Sequence, residues 1–357
     1  MKTTALLIAL GALLSTSSCQ TSSESRIERW ADRFEDRMES FEDAMEDWAD
    51  SMEDWADSIE DNREGSVIYS TTSGNGREKI KIGKNDRYIR RSFDIEAFSG
   101  IQVNHNFKVV MCDTVENVVI SINEKLNKYL NVRLSKGTLI VNLDNIRSVH
   151  YEGNVRCGYV YLPYNLKLRS ISLTGSSSFQ TALPIKTPNF NIRMSGATDC
   201  MLKKGVTCND LDIDMSGSSD CKGLFYSREI SVDMSGATSF SGTLKGNEAD
   251  LDLSGSSDLK ATITATKVEA DLSGASNMKL DGTATTIEIS LSGSSELDAS
   301  KLTAETVTGD MSGVTEASLN ASKSIAVDLT GQSSMTYRGS ADASRCSKSH
   351  MSSIKKL

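Results

Sequence analysis

The sequence predicts an all-β fold, a right-handed parallel β-helix (solenoid) with coils of about 20 residues, preceded by an acidic heptad-repeat α-helix. The main observation is a short phrase that occurs nine times at nearly constant intervals: an apolar residue, Ser or Thr, Gly, a mostly small residue, and Ser or Thr. Before most copies apolar and polar residues alternate, as in Leu211 to Met215, which is typical of a strand with one buried face. The glycines of the nine copies are Gly175, Gly196, Gly217, Gly236, Gly255, Gly274, Gly293, Gly313 and Gly331.

The repeat length excludes several other repeat folds. Helix-pair repeats and four-stranded propeller blades need about 34 to 45 residues. In a β-helix, equivalent residues stack about 4.8 Å apart. Gly is then expected at a bend, because it can take positive φ and allows a close backbone approach where a Cβ would clash. The flanking hydroxyls are expected to bond the next coil or the bend's own backbone. No proline follows Pro188, so the later coils keep their backbone donors.

The position four residues after each Gly is nearly always apolar, and we predict that it forms one buried file of the core. Two members of the file, Cys200 and Cys221, lie on successive coils. Export would permit a disulfide between them. A small buried hydrophobe suits such a file, so free buried thiols are favoured. The members of the file are Phe179, Cys200, Cys221, Phe240, Leu259, Met278, Leu297, Ala317 and Met335.

The N-terminus is predicted to direct export and lipid attachment. Residues 1–18 contain Lys2, an apolar run and a cluster of Ser and Thr, which is typical of a bacterial signal peptide. Cys19 follows at the position of the acylated cysteine of a lipobox, and residues 19–33 would form the lipid-anchored N-terminus. Thr16 stands where leucine is usual, and the alternative is an ordinary cleaved signal peptide with Cys19 incidental. No later segment has an apolar run long enough to cross a membrane, so no membrane-spanning helix is expected.

Residues 34–61 repeat with a period of seven and are predicted to form an acidic coiled-coil helix. Thirteen acidic residues and one basic residue lie here, mainly outside the seam of Phe, Trp, Met and Ile. Small residues beside the seam favour a homo-oligomeric stalk, and the alternative is a solvated spacer helix. A helix lying on a membrane is disfavoured because its polar face is acidic rather than basic.

The rest of the chain divides into four predicted parts. Residues 62–87 are polar and rich in Gly, which is typical of a flexible linker. Residues 88–168 are rich in strands without the regular phrase and form an irregular N-terminal part of the β-helix. The regular coils occupy residues 169–340. Residues 341–357 form a basic C-terminal tail that caps the open ladder against edge-to-edge pairing.

Several runs in the irregular part carry a family resemblance. They are Phe98-Ser-Gly-Ile-Gln-Val103, Phe107 to Val110, Glu124 to Tyr129 and Gly137 to Val141. Together with the Ser-Gly repeats that follow, their order resembles the head GIN domain of auto-transporter adhesins over about residues 88–340. The resemblance implies a secreted or surface β-helical domain with an adhesin role. It implies no catalytic motif and identifies no ligand.

Composition and spacing disfavour other function classes. The net charge of −9 is concentrated in residues 34–61, and no basic stripe with interleaved aromatic residues occurs, so nucleic-acid binding is not expected. The chain has no CxxC motif, and His105, His150 and His350 are not spaced as ligands, so no metal or cofactor is expected. A polysaccharide-cleaving enzyme is the rival class, since such enzymes use paired acids on one face. The acids here repeat in register instead of being concentrated, so we predict no catalytic residue.

Two files of acidic residues are predicted to face outward when the coils are stacked. One stands three residues before each Gly, and the other stands three residues after it. The first could hold divalent cations, which bind carboxylate oxygens. The favoured alternative is that the acids keep an outer strand face soluble. The first file is Asp214, Asp233, Asp252, Asp271, Asp310 and Asp328, and the second is Asp199, Asp220, Asp258, Glu296 and Glu316.

These features predict a non-enzymatic lipoprotein of the cell envelope of a diderm bacterium. It would be held at the outer membrane by lipid on Cys19, on the periplasmic face or the cell surface. Its β-helical head would act as an adhesin or binding module and take a glycan or a protein on its lateral face. The alternative is a passive structural scaffold that works through its oligomerising helix, residues 34–61.

Overall fold

The computed structural model describes residues 79–95 and 97–357, which form an all-β solenoid of about ten turns. One short 3-10 helix, Glu124–Tyr129, is the only helical element of these described ranges. The prediction of an all-β parallel β-helix is therefore confirmed. The signal peptide, Cys19, the acidic helix over 34–61 and most of the linker over 62–87 lie outside the described residues.

The strands before the first regular corner are short. They are β1 Lys79–Ile82, β2 Tyr88–Phe93, β3 Gly100–Val103, β4 Phe107–Cys112, β5 Val118–Asn123, β6 Leu130–Ser135, β7 Thr138–Leu143, β8 Ser148–Tyr151, β9 Gly158–Pro163 and β10 Ser170–Leu173.

The regular coils follow. Their strands are β11 Ser178–Thr181, β12 Ile185–Lys186, β13 Asn189–Met194, β14 Asp199–Thr207, β15 Asp210–Met215, β16 Asp220–Tyr226, β17 Glu229–Met234, β18 Ser239–Lys245, β19 Glu248–Leu253, β20 Asp258–Leu272, β21 Asn277–Leu291, β22 Glu296–Met311, β23 Glu316–Leu329 and β24 Ser334–Arg338. Two last strands, β25 Ser347–Lys348 and β26 Ser353–Lys356, pair in parallel with β23 and β24 and complete a final coil.

Each coil contributes one strand before its corner and one after it, and equivalent strands stack in parallel and in register. Before the corner the ladder runs β3, β10, β13, β15, β17, β19 and on through the second halves of β20 to β23. After the corner it runs β4, β11, β14, β16, β18 and on through the first halves of β20 to β23. Antiparallel pairs occur only at the N-terminal end of the described chain, where β5 lies between β2 and β9, and β6 pairs with β7.

The nine repeat glycines form the corner file that the sequence predicts. All nine have a positive φ, between 68° and 90°. The residue after each Gly donates its backbone N–H to the carbonyl oxygen of the corner residue one coil earlier, at 2.7 to 2.8 Å. Below Gly175 this corner residue is His105, which also has a positive φ, 71°. The file therefore begins one coil before the first Gly, at a residue type that tolerates the left-handed region better than most.

Hydroxyl groups two residues after each corner Gly are buried and satisfied, as predicted. The serines donate to the carbonyl oxygen three residues earlier in their own coil, for example Ser257 to Ser254 at 2.7 Å and Ser333 to Thr330 at 2.6 Å. A threonine in the file bonds the serine of the next coil, as between Thr238 and Ser257 at 3.0 Å. The file consists of Ser177, Thr198, Ser219, Thr238, Ser257, Ser276, Ser295, Thr315 and Ser333.

The predicted apolar file is also confirmed. Its nine members are at most 2 % exposed and pair in register from coil to coil. Cys200 and Cys221 are stacked neighbours in this file and are free thiols, as favoured from the sequence.

One strand lies inside the segment expected to be a linker. Lys79–Ile82, β1, pairs in parallel with β8, and Ile82 is fully buried. Its alternation of Lys and Ile gives it one apolar face, which packs against the core. The last part of the predicted linker is therefore ordered sheet.

Candidate functional site

The outer surface of the strands before the corner is strongly acidic, and we call it the acidic face. The first predicted acidic file lies on it, with all six carboxylates exposed. Asp214, Asp233, Asp252 and Asp271 occupy four successive coils, and Ser290 separates them from Asp310 and Asp328. The file therefore exists as predicted, with one interruption.

Two further acidic files on this face were missed from the sequence. They lie five and seven residues before the Gly, and the signal was present in the same alternation, as in Asp210, Asp212 and Asp214 of β15. The first of these files contains Asp212, Asp250, Glu269 and Glu288, and the second contains Asp210, Glu229 and Glu248. Lys267 is a basic residue in the second of these files, and Arg193 stands in the first predicted file beside Asp214.

A shallow groove of about 500 Å³ runs beside the corner, between the first acidic file and the serines that precede the glycines. Its walls include Asp233, Asp252, Asp271, Ser254 and Ser273. Within residues 79–95 and 97–357, no group of three or more His, Cys, Asp or Glu side chains is placed to hold a metal ion. The six carboxylates of the candidate cation file are a row of separate groups instead of one coordination shell.

Crowding on the acidic face alters the acidity of its carboxyl groups. Desolvation against the neighbouring coils, followed by the negative charges of Asp250, Asp271 and Asp233, raises the pKa of Asp252 to about 6. Desolvation and neighbouring carboxylates also raise the pKa of Asp250 and of Asp271. The face therefore takes up protons in mildly acidic solution.

The outer surface of the strands after the corner has mixed charge, and we call it the mixed face. The second predicted acidic file lies here beside a file that contains lysines. Lys222 lies 2.7 Å from Asp220, and Lys279 lies 2.5 Å from Asp298. The bonds from Lys279 and Ser300 lower the pKa of Asp298 to about 2. The two predicted acidic files thus lie in different electrostatic surroundings.

We expect the removal of a carboxylate charge to have opposite effects on the free energy of unfolding on the two faces. An Asp whose folded pKa is raised to about 6 binds more protons in the folded state, so its contribution to stability falls as pH rises from about 4 to above 6. We therefore expect Asp252→Asn to raise the free energy of unfolding at pH 7 by up to about 1 kcal/mol, because solvent screens an exposed site. Thermal unfolding at pH 4.5 and pH 7 would measure this, and the gain should shrink at the lower pH.

The matched control for this prediction is Asp298→Asn. Because its folded pKa is depressed to about 2, the stability that Asp298 contributes is present above about pH 4 and is lost as pH falls toward 2. Its replacement should lower the melting temperature at pH 7. Equal effects of the two variants at pH 7 would contradict the difference between the faces.

A third surface lies at the N-terminal end of the ladder that follows the corner. We call it the tyrosine platform and define it by Tyr88, Lys108, Arg156, Tyr159 and Tyr161. Tyr159 and Tyr161 alternate with buried residues of β9, so both point outward. Their rings are 6.5 Å apart with an interplanar angle of 18°, and Tyr88 lies 5.9 Å from Tyr159. The platform was not predicted from the sequence, because its strands β2, β5, β9 and β4 become neighbours only through two antiparallel pairings.

The fold and the surface together define the class of protein: a β-solenoid whose charged and aromatic side chains lie on the outer faces of its stacked strands. In the part of the chain that the structure describes, no helix is long and apolar enough to cross a membrane.

The family follows from the sequence match. Residues 97–225 and 227–341, more than half of the chain, match the family described as "Putative auto-transporter adhesin, head GIN domain". The chain therefore belongs to this family, and the resemblance noted from its motifs is confirmed. The family is described as one of adhesins rather than of enzymes. No curated protein matched the chain.

Several solved structures match the chain at low sequence identity. A putative adhesin from Parabacteroides distasonis is 14% identical, with a TM-score of 0.46 over 78% of this chain and 100% of that one. A putative adhesin from Parabacteroides merdae is 15% identical, with a TM-score of 0.45 over 78% and 99%. A putative lipid binding protein from Parabacteroides distasonis is 18% identical, with a TM-score of 0.41 over 78% and 99%.

Proposed function

We propose that this protein is a non-enzymatic, lipid-anchored protein of the bacterial cell envelope whose β-helical head binds a partner through a lateral face. The single observation that carries the proposal is membership of the adhesin family over most of the head. The regular solenoid supports it, because its stacked parallel coils, right-handed in this proposal, offer extended surfaces for binding.

The anchor and the arrangement of parts belong to the same proposal. Acylation of Cys19 would hold the chain at the outer membrane, the acidic heptads over 34–61 would act as a stalk, and the remainder of 62–87 would join the stalk to the head. Within the head, residues 88–168 would form the irregular end, 169–340 the regular rod, and 341–357 the cap. The acidic face keeps part of the rod soluble in this proposal and does not act as a cation site.

The proposal is tested by the position and the binding of the head in intact cells. Protease added to cells that express the full chain should cleave the head if it lies on the cell surface, and immunoblotting would detect the loss. A head that is degraded only after the outer membrane is opened would contradict an adhesin that acts at the cell surface.

The second candidate function is a structural scaffold, favoured by the period-seven pattern of residues 34–61. A chain that lacks residues 24–64 should still bind host glycans, matrix proteins or envelope polymers if the head is the binding module. If the head binds none of these while the full chain still forms oligomers, the scaffold is the better description.

A further inference from the structure

The tyrosine platform differs from the rest of the outer surface in both shape and charge. Its strands lie side by side in the order β2, β5, β9 and β4. Lys108 pairs in register with Tyr159, and Val110 pairs with Tyr161. Two nearly parallel tyrosine rings, a third ring tilted by 56° against Tyr159, and an ammonium group therefore share one patch of the sheet surface.

The platform is held in place by hydrogen bonds to neutral groups. The hydroxyl of Tyr88 donates to the carbonyl oxygen of Arg156 at 2.7 Å. The guanidinium of Arg156 donates to Asn106 Oδ1 at 2.7 Å and to the carbonyl oxygen of Ser176 at 2.8 Å. These neutral acceptors orient the Arg156 side chain but do not neutralise its positive charge.

Two positive charges act on Lys108. Burial first, then the positive charges of Arg156 and Lys203, lower the pKa of Lys108. On the mixed face, by contrast, Lys222 and Lys279 each lie against an aspartate. The platform is therefore a place on the rod where Lys108 and Arg156 lie beside half-buried tyrosine side chains.

We propose that the tyrosine platform binds an anionic polysaccharide, with sugar rings packed on Tyr159 and Tyr161 and acidic groups of the polymer held by Lys108 and Arg156. The outer surface of a sheet suits an extended polymer better than a small molecule, which needs a concave pocket. Tyr and Arg are the residue types that contribute most to binding at such surfaces. Charge complementarity selects an anionic partner over a neutral one. The inference rests on the proposed binding function and names its surface and its ligand class.

The probe for the test is polygalacturonate, with its fully methyl-esterified form as a neutral polymer of the same backbone. Titration calorimetry with the full chain should detect binding of the charged polymer that weakens as salt is raised, because the charges are near the surface. The methyl ester should bind at least about tenfold more weakly.

Variants locate the site. Lys108→Gln and Tyr161→Ser should each weaken polygalacturonate binding about tenfold, a change of about 1.4 kcal/mol. Lys108→Arg keeps the charge and should restore most of the affinity. The matched controls are Lys260→Gln, a lysine on the mixed face, and Tyr226→Ser, a tyrosine that is 40 % exposed elsewhere on the rod, and both should bind as the unchanged protein does.

Each other outcome overturns the inference and has its own meaning. If polygalacturonate does not bind, or if Lys108→Gln and Tyr161→Ser bind it normally, the platform is not an anionic-glycan site. Continued binding of the full chain to other envelope or host surfaces would then leave the general binding function standing. Failure to bind any surface would remove both. If sedimentation shows self-association that Lys108→Gln abolishes, the partner is a second copy of the chain.

Discussion

Replacing Gly255 with alanine is expected to lower the free energy of unfolding by about 2–5 kcal/mol, from left-handed strain and overpacking together. Gly255 has a φ of 73°, where a residue with a Cβ is strained. The added methyl group would also lie 2.6 Å from the carbonyl oxygen of Gly236. That oxygen accepts the hydrogen bond from Ser256 that joins the two coils, at 2.7 Å, so the contact cannot relax without weakening the corner.

The matched control is Gly137→Ala in the hairpin between β6 and β7. Gly137 has almost the same φ, 72°, but no atom lies within 4 Å of the position of its added methyl group. This variant should lose only the cost of the left-handed conformation, about 1–2 kcal/mol. Urea denaturation would compare the two, and hydrogen exchange in the coils beside Gly255 would show local opening, because a solenoid need not unfold in one step. Equal losses would mean that close stacking of the corners contributes nothing.

Replacing Phe225 with alanine is expected to cost about 3–5 kcal/mol, the range for removing a buried aromatic side chain. Phe225 is fully buried, and its ring lies 5.7 Å from that of Phe240 on the next coil. It also stacks in register between Val206 and Leu244. Because the core of a solenoid is thin, few neighbours can move into the cavity, so the loss should be near the upper end of the range.

The neighbouring Tyr226 supplies the control for this second prediction. It is 40 % exposed on the opposite side of the same strand, so Tyr226→Ala should change stability by no more than about 0.5 kcal/mol. Thermal and urea unfolding of the two variants would make the comparison. A loss at Phe225 no larger than that at Tyr226 would contradict the assignment of the core.

The regular part of the fold was predictable because each coil repeats the same local rules. Alternation places Ile213 and Met215 inside and Asp212 and Asp214 outside, and the nearly constant spacing of the phrase sets the register between coils. The positive φ at Gly255 follows from residue type at a bend. The buried hydroxyl of Ser257 follows from the same phrase, because a Ser that follows a bend bonds nearby backbone.

The irregular part was less predictable. Residues 88–168 were predicted to be rich in strands, and the structure places β2 to β9 there, but β1 lies in the segment predicted to be a linker. Lys79–Ile82 carries only two apolar residues, and its pairing with β8 joins residues far apart in the sequence. His105 at the first corner had no signal either, because it lacks the Gly that marks the later corners.

The candidate sites, too, divide into those that the sequence could predict and those that it could not. The first acidic file was visible because its members are spaced by one coil, and the two missed files could have been read from the same strands. The difference in charge between the faces was not visible, since it depends on Lys279 of one coil meeting Asp298 of the next. The tyrosine platform depends on the antiparallel placement of β5 between β2 and β9.

The sequence by itself determined the solenoid, its corners, its buried files and the outward direction of its acids, because each of these follows from spacing within a coil and stacking of identical coils. The tertiary structure alone decided how far burial raises the pKa of Asp252, which lysines of the mixed face meet an aspartate, and which rings and cations the unlike strands of the tyrosine platform bring together. The physical reason is that a repeat transmits its register from coil to coil, whereas contacts between unlike segments depend on where long-range pairing places them.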